Sequence, residues 1–470
     1  MSIKTEINHR QRWLALLLLC LGELMIVLDT TIVNVALPSI QSDLKFSETS
    51  LVWVVNAYML TFGGFLLLGG RLGDLFGHRK LFLRGITLFT VASLACGLAN
   101  SQWLLIVARA VQGLGGAVVS AVALSLIMNL FTEPAERAKA MGVYGFVCAG
   151  GGSVGVLLGG LLTSLSWHWI FLVNLPIGLA VYLLCLRLLP DSPGHAAGEK
   201  LDVAGAVTIT TALMLAVYAI VNGNEAGWLS QQTWLMLGAA AVLFGVFLTL
   251  QLRVEHPLMP LGLFRNRNVS VANVVAVLWA AAMFAWFFIS ALYMQLVLAY
   301  TPMQVGLAFL PANMIMAAFS LGLSAKLVMW WGNKRPLAAG LLLAALGLAL
   351  FSRAPLAGQF MTDVLPGMVL LGLGSGIAFN PMLLVAMSDV EPGESGLASG
   401  IVNTSFMMGG ALGLAVLASV AAAVTTTQTG LGVDAITALN AGYQTAFKLG
   451  AAVAAIAAAI SLLMLKNATK

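Results

Sequence analysis

Two carboxylates, Glu23 and Asp29, and one guanidinium, Arg109, stand inside long apolar runs of a 470-residue chain. A charge placed in hydrocarbon costs about 2.5 to 3.5 kcal/mol on insertion scales, so each must turn toward other protein and find a partner. A carboxylate at that depth can take up a proton and give it back, which makes Glu23 and Asp29 candidate proton-coupling groups, while Arg109 needs an acceptor inside a helix bundle. Six residues separate the two acids, roughly 240° around a helix, so they occupy different faces and suit different roles. Glu23, near mid-depth, is also a candidate for meeting a cationic group on a small molecule. Asp29 lies nearer the outside, beside Thr30, Thr31 and Asn34, whose side chains predict a polar path for protons. Asp363 is expected at a helix end.

Trp279, Trp286 and Tyr293 recur at heptad spacing, with Met283 and Ser290 between them. Flat aromatic faces and a flexible thioether hold apolar cations with little demand on shape, although the same stripe serves equally as packing. Asn34, Asn56, Gln112, Gln295, Asn313, Asn380 and Asn403 are polar at membrane depth and suit either a cavity wall or helix-to-helix hydrogen bonds. The candidate substrate-binding set is Glu23, Asn34, Asn56, Trp279, Met283, Trp286 and Asn380. Trp167-His168-Trp169 reads as an interfacial aromatic anchor. The four cysteines lie in apolar runs without metal-ligand spacing and read as packing residues; no metal or cofactor is expected.

These residues need positioning elements, and composition says which. Hydrophobic residues make up 60% of the chain and charged ones only 9%, against about 25% charged in a soluble domain. Apolar runs of about 20 residues rich in Leu, Ala, Val and Gly predict an all-α integral membrane protein and exclude alternating barrel strands. Spanners are predicted near 13–37, 49–70, 80–99, 103–130, 138–165 and 168–189, then 203–221 and 233–252, then 270–298, 303–325, 336–352, 362–386, 398–424 and 443–465. The organisation is therefore a six-helix bundle over 13–189, an inserted transmembrane hairpin over 203–252 and a second six-helix bundle over 270–465, fourteen spanners in all. The first run is too long for a signal peptide and carries Glu23 and Asp29, so it is expected to remain as a spanner. With both termini cytoplasmic, every Lys and Arg except Lys45, Arg109, Arg353 and Lys448 falls on the cytoplasmic side, as the positive-inside rule requires. The net charge of +5 is spread over short juxtamembrane loops, facing lipid headgroups, and implies no nucleic acid.

The chain also repeats itself. Gly77-His78-Arg79-Lys80 recurs as Gly332-Asn333-Lys334-Arg335 at an offset of 255, Gln112-Gly113-Leu114-Gly115-Gly116 as Leu371-Gly372-Leu373-Gly374-Ser375 at 259, and Ala140-Met141-Gly142 as Ala398-Ser399-Gly400 at 258. Six helices per copy leave the two halves in the same orientation, a transporter-type repeat with its site between the halves. The stretch Gly69 to Lys80 reads as a tight cytoplasmic hairpin, in which Asp74 accepts from a helix N-terminus and Arg79 and Lys80 face anionic headgroups.

That stretch, Arg109-Ala110-Val111-Gln112-Gly113, Leu28-Asp29-Thr30-Thr31-Ile32-Val33-Asn34-Val35-Ala36-Leu37-Pro38 and the glycine-rich fifth spanner together resemble the signature motifs of the major facilitator superfamily. The fourteen spanners and the first-helix motif resemble its drug:proton antiporter branch, across the whole chain. Two positions depart from the pattern: Leu75 stands where a basic residue is usual, and Val156 stands where the fifth-spanner motif usually has proline. The resemblance implies the major facilitator fold, with Gly70, Asp74, Gly77, Arg79, Lys80, Arg109, Gln112, Gly113, Gly151, Gly155, Gly159 and Gly160 governing the conformational change. It implies a proton-coupled exporter of amphipathic, cationic drugs or toxic compounds, acting as a monomer in the bacterial inner (plasma) membrane and driven by the proton gradient alone. A dedicated exporter of one metabolite or antibiotic is the alternative. A membrane-embedded lipid-modifying enzyme would need a cluster of catalytic residues at one interface, which the short outer loops cannot build, so no enzyme is expected. The Gly-x4-Gly-Lys-Ser/Thr loop that would mark ATP drive is absent from the sequence.

Overall fold

The computed structural model describes residues 9–131, 133–189, 202–319, 323–387 and 395–465. Among the described residues it is all-helical: twelve helices are long and apolar enough to cross a membrane, and two shorter apolar ones lie at 151–165 and 302–318. The first half comprises α1 (His9–Leu44), α2 (Trp53–Phe76), α3 (His78–Gly97), α4 (Gln102–Leu130), α5 (Pro134–Leu165), the short α6 (Trp169–Leu172) and α7 (Asn174–Leu188). A pair follows, α8 (Val203–Ala226) and α9 (Gln231–Arg253). The second half holds α10 (Arg267–Leu292), α11 (Pro302–Ala318), α12 (Ser324–Trp331), α13 (Lys334–Phe351), α14 (Leu365–Ala386), α15 (Ser395–Gly430) and α16 (Ala435–Met464). Helix starts carry their own signals: Ser101 Oγ accepts from Leu104 N, and Thr301 with Gln304 forms a reciprocal capping box that opens α11.

The halves carry the same close contacts at the repeat offsets. A Cβ on Gly85 of α3 would stand 3.3 Å from the Gly115 carbonyl of α4, and one on Gly340 of α13 would stand 2.6 Å from the Gly374 carbonyl of α14. Gly113 lies likewise against the Tyr58 carbonyl of α2, and Gly372 against the Ala312 carbonyl of α11. Only a residue without a side chain lets these backbones meet, so the repeated glycines set the same helix spacing twice.

Several boundaries differ from the sequence reading. α1 runs past Pro38 to Leu44. The expected hairpin from Gly69 to Lys80 is mostly helix: α2 continues to Phe76, Gly77 alone makes the turn at φ 89°, and α3 starts at His78. Hydropathy stops at the charges, whereas the helix stops where a residue without Cβ allows a left-handed φ. Gly332, its counterpart, makes the same turn at φ 72°. The side chains of Arg71, Asp74, Leu75 and Cys148, and the polar segment 190–201, lie outside the described residues, and with them the helix-capping role expected of Asp74.

The halves meet through α1 with α10, α2 with α15 and α5 with α11. At the end that carries Lys45, Gln295 Nε2 of the second half donates to the Val35 carbonyl of the first at 2.9 Å. Deeper, Asn56 Nδ2 donates to the Ala411 carbonyl at 2.8 Å. Toward the Gly77 end, Gly63 lies against Met407 and Gly400 against Leu67, so α2 and α15 stay in contact along their length. α8 packs on both α2 and α15, with Asn224 Nδ2 donating to the Ser419 carbonyl at 2.7 Å, whereas α9 turns most of its surface outward.

Candidate functional site

The charged residues singled out in the sequence converge in the first half. Arg109 projects from α4 into the bundle, where its Nη1 donates to Asp29 Oδ2 of α1 and to Gln112 Oε1 at 2.6 Å, and its Nε donates to the Val54 carbonyl at 2.8 Å. Gln112 Nε2 returns to Asp29 Oδ1 at 2.7 Å and to Ser93 Oγ of α3 at 2.8 Å. Asn174 of α7 completes the set, donating to Asp29 Oδ1 at 3.3 Å and to Ser93 Oγ at 3.4 Å. The guanidinium lies over the Tyr58 ring, 4.5 Å from its centre, and 5.6 Å from the centre of Phe171. Asp29 and Arg109 are each 1% exposed. Five helices, α1, α2, α3, α4 and α7, thus close around one ion pair, and each of its members is held by further hydrogen bonds, the condition for keeping a charge pair out of water.

The polar path expected beside Asp29 does not form. Thr30 and Thr31 hydroxyls donate to the Val27 carbonyl of their own helix, and Asn34 Nδ2 donates to the Thr30 carbonyl. Residues adjacent in sequence stand about 100° apart on a helix, so Asp29 enters the bundle while its neighbours face elsewhere.

Glu23 sits almost two turns away on α1 with a different set of partners. Ser120 Oγ of α4 reaches both carboxylate oxygens, at 3.0 and 2.8 Å, and the Tyr144 hydroxyl of α5 donates as well. No cation pairs with it among the described residues. Two buried carboxylates on one helix therefore have opposite surroundings, one with a countercharge and one with neutral donors. Ser93, Asn174, Ser120 and Tyr144 carry no sequence signal, because they are ordinary polar residues whose partners lie on other helices.

The glycine-rich α5 sorts into two stripes. Gly151 lies against Leu24 and Val27, a Cβ on Gly155 would fall on Thr31 Oγ1, and one on Gly159 would stand 3.1 Å from the Ile32 carbonyl, so these three seat α5 on α1 within one half. Gly160 faces the other half, where a Cβ would stand 2.8 Å from Met303 Cα, and Gly152 faces Asn313. Val156 turns its carbonyl to Gly306 of α11. The seal between the halves therefore rests on Gly152, Gly160 and Gly306, not on the whole glycine run. Of the other conformational candidates, Arg79 Nη2 donates to the Leu186 carbonyl at the end of α7 at 2.6 Å, Lys80 is exposed, and Gly70 makes only ordinary contact with Ala121.

The candidate substrate residues are scattered. Trp279 packs edge-on against Phe379 and Phe406, and Trp286 against Phe309, both fully buried in the second half. Met283, Asn380 and Asn403 are half-buried. Asn56 is a tie between the halves and Asn34 a local bond, so neither stands on a cavity wall in this conformation. Among the described residues, the buried Asn313 Nδ2, Trp286 Nε1 and Asn56 Oδ1, on helices that meet the other half, lack a protein partner. At the Lys45 end a polar recess of about 710 Å3 opens between Ser39, Asp43, Lys45, Gln295 and Tyr300. Trp167, expected at the interface, is instead buried and donates to Asp43 Oδ2 at 2.8 Å, leaving Trp169 as the exposed ring of that cluster.

Residues 19–414 match the family model described as Major Facilitator Superfamily. The chain belongs to that superfamily. Among its relatives, this major facilitator is 40% identical to the puromycin resistance protein pur8 of Streptomyces alboniger, over 88% of this chain and 83% of that one. It is 38% identical to the cephamycin export protein CmcT of Amycolatopsis lactamdurans, over 86% and 84%, and 38% identical to the multidrug resistance protein Stp of Mycobacterium tuberculosis, over 88% and 77%. Among solved structures, a bacterial homologue of the human lysosomal transporter Spinster superposes with a TM-score of 0.66 at 17% identity, covering 97% of each chain, which shows the shared fold.

Proposed function

We propose that this major facilitator exports amphipathic, cationic compounds in exchange for protons by alternating access of its two halves. The relatives named for puromycin resistance, cephamycin export and multidrug resistance support export of small toxic molecules. The observation that carries the coupling is the contrast between the two acids of α1: Asp29 closed into an ion pair with Arg109, and Glu23 held by hydroxyls with no countercharge among the described residues. A substrate cation entering from the cytoplasm meets Glu23 as its countercharge. After the halves rock, a proton from outside replaces that cation on the carboxylate and releases it. Protonation of Asp29 frees Arg109 and loosens the cluster that joins α1, α3, α4 and α7, so proton uptake changes how rigidly the half is held.

In this reading the two shorter apolar helices count beside the twelve long ones, giving fourteen spanners: bundles over 13–189 and 270–465, with the 203–252 hairpin inserted between them. Both termini are cytoplasmic, the Lys45 end faces out, and the monomer is the working unit. The half-buried Met283 and Asn380, the orphaned Asn313 amide and the Trp286 indole N–H supply the substrate wall once the halves part. One proton entering across about 100 mV releases about 2.3 kcal/mol, and one pH unit adds about 1.4, enough to drive such an exchange. The single-antibiotic names of two relatives favour a narrower substrate range as the second reading.

The test is accumulation of ethidium, and separately of puromycin, in a drug-susceptible bacterium expressing the chain. Lower accumulation that an uncoupler restores is expected. Equal accumulation with and without the protein, for both compounds, contradicts the proposal, and lowering of puromycin alone selects the narrow range.

A further inference from the structure

Tyr58 of α2 is 1% exposed, and its hydroxyl has no protein partner among the described residues. Such a group is seldom left alone in a native interior, and a bridging water is the usual solution. Tyr58 lies along α4 between Arg109 and Ser120, the residues that hold the two acids. The ring lies under Arg109, which holds Asp29. The hydroxyl end lies at Gly116 of α4, where a Cβ would stand 2.8 Å from the Tyr58 oxygen. One turn further along α4, about 6 Å, is Ser120, which donates to both oxygens of Glu23. The charges of Asp29, Arg109 and Glu23 all act on this hydroxyl.

We propose that the Tyr58 hydroxyl relays the proton from Asp29 to Glu23. The inference rests on the proton-coupled reading above and adds a residue that the sequence did not single out. A proton leaving an Asp29 oxygen reaches the Tyr58 oxygen through a bridging water as Tyr58 gives its own to a second water beside Gly116. That water passes a proton through the Ser120 hydroxyl to Glu23. Each intermediate oxygen gains one proton and loses one, and neither water is consumed or formed. Asp29 ends as the carboxylate paired with Arg109, and Glu23 ends as the neutral acid that no longer holds a cation. A phenol suits the task because its hydroxyl both donates and accepts. The charged groups whose fields reach it are Asp29 and Glu23 from α1 and Arg109 from α4, the last over its ring; the Cys96 thiol of α3 lies behind Gln112. Of the other helices packed on α2, α15 has no titratable residue in its sequence, and Tyr218 and Glu225 of α8 are exposed. Arg71 and Asp74 of α2 itself are more than three turns away.

The test uses the full chain in proteoliposomes with ethidium as probe and compares two rates: uptake driven by an imposed pH gradient, and ethidium-for-ethidium exchange without a gradient. Tyr58→Phe removes only the hydroxyl and is expected to slow the pH-driven rate at least tenfold while exchange stays within twofold. Gly116→Ala, which displaces the hydroxyl without removing it, is expected to slow pH-driven uptake alone and to add nothing in the Tyr58→Phe background. An unchanged pH-driven rate in Tyr58→Phe overturns the relay, as does an equal fall in both rates or additive effects of the two substitutions. A wild-type protein that exchanges ethidium but ignores the pH gradient overturns the proton-coupled reading, and the relay with it.

Discussion

The Asp29–Arg109 pair shows what a buried charge demands of its surroundings. Both groups are sealed, so removing one strands the other, and truncation of a buried pair costs about 3 to 5 kcal/mol. Arg109→Ala is therefore expected to lower the thermal unfolding temperature in detergent strongly, with Asp29→Asn recovering part of the loss in the Arg109→Ala background. Equal melting of Arg109→Ala and wild type would refute the pairing. Glu23→Gln keeps a polar partner for Ser120 but loses the charge; cationic substrates are expected to bind at least tenfold more weakly and neutral ones unchanged, read by equilibrium binding to purified protein. Equal weakening of both classes would remove Glu23 from cation recognition. Glu23, Asp29 and Arg109 were legible in the sequence because an ionised side chain in an apolar run is conspicuous. Ser93, Asn174, Ser120 and Tyr58 were not, since a hydroxyl or an amide is unremarkable until other helices set it beside a buried charge. The direction of Asp29 was missed for a related reason: its sequence neighbours suggested a wet path, but the helical step points them elsewhere.

At the scale of the element, α5 shows that glycine richness alone does not say which neighbour is approached. The stripe at Gly151, Gly155 and Gly159 recurs every four residues and seats α1, while Gly152 and Gly160 seat the other half. Gly155→Ala would place a methyl on Thr31 Oγ1, an overpacking cost of about 1 to 3 kcal/mol that Thr31→Ala relieves. The expected result is a lowered melting temperature in Gly155→Ala and recovery in the double variant. Gly160→Ala meets main chain, which cannot yield, so no side-chain partner is expected to rescue it. Loss of melting temperature without rescue by Thr31→Ala would show that the Gly155 stripe is not packed as described. The spans were legible from runs of apolar residues, and their ends were less so. Hydropathy ended α2 at Gly70, yet α2 carries its glycines and charges to Phe76 because only Gly77 supplies the turn.

Across the whole molecule, the duplication visible in three short repeats became a structural fact once Gly85 and Gly340 were found against equivalent carbonyls of the next helix. What no repeat reveals is the contact between the halves. Among the described residues two amide ties hold them, Gln295 to Val35 and Asn56 to Ala411, and opening the Lys45 end must break at least the first. Each hydrogen bond contributes about 0.5 to 1.5 kcal/mol net, so Gln295→Ala and Asn56→Ala together are expected to shift the opening equilibrium about tenfold or more. Spin labels at Ser42 and Thr301, both exposed at that end, would report a growing long-distance population in the double variant, and an unchanged distance distribution would show that the ties do not govern opening.

Proton coupling through the α1 carboxylates is most directly tested by placing wild type and Asp29→Asn in proteoliposomes with an imposed pH gradient and no membrane potential, then following ethidium concentration inside and out. The wild type is expected to build an ethidium gradient that collapses when the pH difference is removed, and Asp29→Asn, which keeps the size of the side chain and still binds ethidium, is expected to reach equal concentrations and stop. An Asp29→Asn protein that still concentrates ethidium under a pH gradient alone would contradict the assignment.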